Sequence, residues 1–150
     1  MFRHKRGHFM KKSTDELLEI LNSKNSYREF FEEEIGELSF TSVSEYLELL
    51  LGEKGLKKSE VIEKANLDKY YAYQIFNGTK ENPSRDKLIM LAFGMTLNLN
   101  ETRKLLKLSG TADLYARSPR DSIIIFCLMK KKGLIVCNEY LHDFSLEILE

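Results

Sequence analysis

The sequence predicts an all-α protein, and three observations carry that prediction. Apolar residues recur at i, i+3 and i+4 along most of the chain, the spacing that builds one buried face of a helix. Three capping boxes pair a Ser or Asn with a Glu three residues on: Ser13 with Glu16, Ser42 with Glu45, and Asn98 with Glu101. Asn66, Gly78 and Gly110 then stand where periodic segments stop, as residues that tolerate the left-handed turn at a helix end.

Residues 1–12 read as a flexible basic tail, with Arg3, Lys5 and Arg6 and no acid in the first nine positions. This stretch lacks the apolar run and cleavage site of a secretory signal, and Met10 offers a second start. The Ser13 box opens a short helix through Leu21, and residues 22–25 interrupt it. A second, acidic helix is expected over residues 27–38, with Phe30, Phe31, Ile35 and Leu38 on its apolar side. Together these make an acidic helical extension over residues 13–41.

The Ser42 box launches a helix whose Tyr46, Leu47, Leu50 and Leu51 form a core stripe. Two short amphipathic segments follow, residues 57–65 and 69–77, separated only by Asn66, Leu67 and Asp68. So short a gap suits the turn of a helix-turn-helix unit. Val61, Ile62 and Ala65 form the inward stripe of the first segment. Asn66 stops it, Leu67 plugs the corner, and Asp68 caps the second segment. Ala72, Ile75 and Phe76 face the core, which turns Lys69, Tyr70, Tyr73, Gln74 and Asn77 outward. A loop over residues 79–83 leads to an apolar helix over 84–93 and a further helix near 98–108.

Residues 111–150 are expected to be a helical extension. Ser118 and Pro119 look like an N-cap with proline at the first helical position. Residues 123–129 are nearly all apolar, and Lys130, Lys131, Lys132 and Gly133 separate them from a second apolar run that includes Tyr140, Leu141 and Phe144. Two antiparallel helices fit the caps. A β-hairpin competes, because Ile123 to Phe126 and Leu134 to Val136 also suit strands. Either way the apolar surface needs cover, from the core, a second copy or a partner.

The five-helix order over residues 46–108 resembles the Cro/phage-repressor (XRE-type) helix-turn-helix family, the lambda repressor-like domain. The resemblance rests on the Glu53-Lys54-Gly55-Leu56 ending of the leading helix, the two-helix unit, and the Phe76-Asn77-Gly78 ending of its second helix. It implies a DNA-binding transcriptional regulator that inserts helix 69–77 into a major groove. It also implies that Lys69, Tyr70 and Gln74 face base edges while Lys58 and Asn77 hold phosphates. Tyr73 joins the base-facing set by its place on the same side, and Lys80 joins the phosphate set from the loop. The chain departs from the family pattern with Ile62 at a small-residue position, Asn66 at a glycine position, Lys57 at a Ser/Thr cap and Lys58 at a glutamine.

The formal net charge is zero, but the charge is unevenly spread. Residues 54–87 carry eight bases against five acids, +3, while residues 10–53 carry four against eleven, −7. Phosphate contacts supply most nonspecific affinity, so weak, salt-sensitive binding to duplex DNA by a homodimer is the expectation. An alternative use of the same scaffold is a protein-interaction module anchored by Tyr70, Tyr71 and Tyr73, since aromatic residues favour protein hot spots, although Tyr71 reads more simply as filling space beside the small Ala72.

Enzyme chemistry has little support. His4 and His8 lie in the basic tail, and His142 stands alone with Asp143 expected to point elsewhere. Cys127 and Cys137 lack zinc-ligand spacing and read as reduced core thiols, as in a cytoplasmic protein. Neither a cofactor nor a metal is expected, and no apolar run approaches membrane-spanning length.

Overall fold

The computed structural model describes residues 12–34 and 42–150. The basic arm over residues 1–9, the second start at Met10 and the far end of the acidic helix, with Ile35 and Leu38, lie outside the described residues. The chain divides into two compact units, residues 1–40 and 41–150.

In the first unit, α1 (Thr14–Ser23) begins at the expected box. Ser13 Oγ accepts from the Glu16 N–H at 3.1 Å, and Glu16 Oε1 accepts from the Ser13 N–H at 2.9 Å. The segment α2 (Tyr27–Glu34) follows and packs on it.

The second unit holds α3 (Val43–Lys54), α4 (Lys58–Lys64), α5 (Lys69–Phe76), α6 (Arg85–Gly94), α7 (Leu99–Ser109), α8 (Pro119–Met129) and α9 (Leu134–Asp143). All described elements are helices, so the all-α expectation holds and the hairpin alternative for residues 123–136 does not. The Ser118 cap accepts from Asp121 N–H at 3.2 Å, with Pro119 in the first turn as expected. Helical burial explains the choice: Ile124, Cys127 and Leu128 on α8, and Leu134, Cys137 and Leu141 on α9, turn to one side at 3.6-residue spacing.

Helix α6 runs through the middle of this unit. Every residue from Leu88 to Gly94 is buried, so it shows no amphipathic face, as suits a core helix surrounded by neighbours. It packs against α4, α7 and α9. Gly94 is what lets α4 approach. A Cβ there would lie 2.5 Å from the Val61 carbonyl oxygen and 2.9 Å from Ala65 Cβ. One continuous apolar cluster includes Leu47 of α3, Val61, Ile75, Leu105 and, from residues 111–150, Ile124, Leu141 and Leu149.

Helix ends repeat one device. At Asn66, Thr96, Lys131 and Ser145 a non-glycine residue takes positive φ, between 54° and 59°. In each case the next N–H reaches back to a carbonyl five residues earlier, as from Leu67 to Ile62 and from Lys132 to Cys127.

Two crossed ion pairs tie α6 to α8. Arg120 forms a forked contact with Asp86 at 3.0 and 2.9 Å, and Arg85 reaches Asp121 at 2.8 Å. Arg85 also donates to the carbonyls of Ala112 and Asp113, fixing the segment before α8. Beyond α9 the chain folds back. Arg120 Nε donates to the Glu147 carbonyl, and the Asn138 side chain both donates to and accepts from the Leu149 backbone at 2.8 Å.

Candidate nucleic-acid interface

The surface of interest is built by α4, the turn after it and α5. The turn forms as its residue types dictate: Asn66 has φ 54°, Leu67 is buried in the corner, and the Asp68 carboxylate accepts from the Tyr71 N–H at 3.0 Å. Lys57 precedes α4 without a side-chain cap bond, as expected where no hydroxyl is present. The two helices rest on different neighbours, α4 on α6 and α5 on α3. Ser44, in the first turn of α3, donates to the Phe76 carbonyl at 2.5 Å and so fastens the end of α5. Asn77 caps that end and Gly78, at φ 82°, reverses the chain.

Anchoring Ala72, Ile75 and Phe76 leaves the opposite edge of α5 in solvent. Lys69, Gln74 and Asn77 are exposed there, and Tyr70 is 82% exposed. Tyr73 is only half-buried, packed in part against the core. The Asn77 side-chain carbonyl accepts from the Thr79 N–H at 2.9 Å, so its amide NH2 is the group left to meet an anion.

The cations divide into held and exposed groups. Lys58 Nζ sits 2.7 Å from Glu48 and 5.6 Å from the centre of the Phe76 ring. A phosphate would have to draw it off Glu48. Lys80 lies in the loop, its ammonium 5.4 Å from the centre of the Tyr71 ring, and Lys87 of α6 lies 5.9 Å from the same ring. This places three lysines, 69, 80 and 87, on or beside α5.

Tyr71 is part of the scaffold. Its hydroxyl accepts from the Ser84 N–H at 3.3 Å, which joins α5 to the start of α6. Packing beside the small Ala72 is the simpler expectation for Tyr71 and the structure agrees, although helical spacing alone cannot reveal a bond across thirteen residues. Lys87 was missed as well, because it belongs to a helix read as core. A usable signal was present in the two Arg-Asp pairs, 85–86 and 120–121, each in the first turn of a helix.

Elsewhere, Cys127 and Cys137 are free and buried, and burial pushes both thiols above their ordinary range. His142 corrects one expectation. Its Nδ1 lies 3.9 Å from the Asp143 carboxylate, with both side chains in solvent. Among the described residues no helix is long and apolar enough to cross a membrane. Comparison with protein-family models, curated proteins and solved structures returned no match to this chain.

Proposed function

We propose that this chain is a DNA-binding transcriptional regulator of the Cro/phage-repressor (XRE) type, a cytoplasmic protein without catalytic chemistry, with two copies acting on two half-sites. The observation that carries the reading is the outer edge of α5. A helix pinned by Ala72, Ile75 and Phe76 presents Lys69, Tyr70 and Gln74 to solvent beside two further lysines.

Each group has a matching chemistry on duplex DNA. Gln74 can make a paired contact with an adenine edge, and Lys69 can donate to guanine. Lys80 and the Asn77 amide would hold phosphates and set register, with Lys58 joining them on leaving Glu48. Tyr73, half-buried, would contribute an edge contact. With zero net charge, affinity would rest on few phosphate contacts and fall steeply with salt.

The test is titration of duplex DNA at low and moderate salt with the native chain and with the Lys69→Glu/Gln74→Ala double variant. Binding at low salt that the double variant loses is the expected result. Undetectable native binding at low salt, or a double variant that binds as well as the native chain, would end the proposal.

The exposure of Tyr70 favours one second reading, a protein-interaction module. In that case Tyr70→Ala would abolish capture of a partner protein while helicity and DNA affinity stay unchanged.

A further inference from the structure

Helices α8 and α9 carry apolar side chains outward as well as inward. Half-buried Val136 and exposed Tyr140 and Phe144 follow one another at i, i+4 and i+8 along α9 and its cap, and on α8 exposed Phe126 follows, at i+3, Ile123, which packs in part on the core. The Tyr140 and Phe126 rings meet edge-on, with centroids 6.1 Å apart and planes at 88°, which joins the two files into one strip. Phe126, Tyr140 and Phe144 are all exposed, Phe144 at 68%. A contiguous strip of this kind is costly to leave in water and marks a contact surface.

Its ends carry opposite charge. Lys130, Lys131 and Lys132, all exposed, lie at the turn between the helices. Exposed Glu139 and Asp143 lie toward the far end of α9. We propose that the strip is the contact between two copies of this chain related by a two-fold axis. A two-fold axis perpendicular to the strip lays the same patch on itself in reversed direction, residue i of one copy on j of the other and j on i. Reversal sets the lysines of one copy against Glu139 and Asp143 of the other, at both ends at once. A parallel arrangement would oppose lysine to lysine, and a uniformly acidic or basic partner would match only one end.

This surface would supply the pairing that the two-half-site reading requires, and so deepens it. It is measured without DNA, so failure of one claim is distinguishable from failure of the other.

Sedimentation equilibrium of the full chain is the experiment. The native chain associates as a dimer at micromolar concentration. Phe126→Asp weakens the dimer by at least about tenfold while helicity by circular dichroism is retained. The Lys130→Glu/Lys131→Glu variant and the Glu139→Lys/Asp143→Lys variant each dissociate more readily than the native chain. Mixed together, or combined in one chain, they regain association. A native chain that is monomeric at every concentration overturns the proposal, as does a dimer indifferent to Phe126→Asp. If Phe126→Asp loses its helicity, the charge variants decide alone: failure of the reversed pair to regain association refutes the surface.

Discussion

The pair α4/α5 and the pair α8/α9 turn their corners in the same way and differ in what they show to water. Both corners use a non-glycine residue at positive φ, Asn66 in one and Lys131 in the other. Both pairs contribute buried apolar residues to the same core. Outward, α5 presents Lys69, Tyr70 and Gln74, whereas α8 and α9 present Phe126, Tyr140 and Phe144. The core dictates the inner face of a helix pair and leaves the outer face free to differ, polar and basic on one pair and apolar on the other.

The largest expected effect comes from unseating the first pair. Gly94→Ala drives a methyl group into backbone at Val61 and against Ala65, and the backbone cannot yield as a flexible side chain would. A loss of about 3 kcal/mol is expected, read as a fall in the urea midpoint. An unchanged midpoint would mean that α4 does not sit where described.

Loosening the second pair comes next. Arg120→Ala removes the fork to Asp86 and the bonds to the carbonyls of Glu147 and Ile148. With both side chains part-exposed, about 2 kcal/mol is expected. Amide exchange should quicken over residues 144–150, with α4 and α5 less affected.

The two corners can then be set against each other. A left-handed conformation costs a lysine about 1 kcal/mol and asparagine less, because the short Asn side chain tolerates it. Lys131→Gly should therefore raise the melting temperature, while Asn66→Gly leaves it nearly unchanged. Equal responses would show that corner geometry differs from that described.

The smallest effect concerns the segment between the pairs. The Arg103 guanidinium, bonded to Asp113, holds that carboxyl below its ordinary range. A lowered folded value stabilises above the ordinary carboxylate pKa, about 3.9, and that contribution disappears as pH falls through the folded value. Both side chains are half-exposed, so solvent screening keeps it slight. Asp113→Asn should make the urea midpoint marginally less dependent on pH below the ordinary range; an unaltered dependence would discount the pair.

Legibility in the sequence follows the same contrast. Around α4 and α5 the apolar residues alternate cleanly with polar ones, so period, corner, cap and exposed edge could all be read from spacing. In α8 the outward Phe126 interrupts any polar face, and Ile123 to Phe126 also suits a strand. The caps, Ser118 and Pro119, and the length of the two runs favour helices. The bonds from Tyr71 to Ser84 and from Asn138 to Leu149 were beyond reach, since each joins residues more than ten positions apart. Of the seven residues proposed to touch DNA, Lys69, Tyr70, Gln74, Asn77 and Lys80 lie in solvent, while Lys58 and Tyr73 are partly engaged by the protein itself.

Helix α6 has a consequence for how this unit comes apart. Its residues 88–94 are enclosed on all sides, with α4 seated at Gly94 and α9 packed alongside. Neither helix pair can therefore melt by itself without wetting the rod they share. The helices from residue 42 onward should lose their structure in a single step, with only the segment after α9 loosening ahead of them.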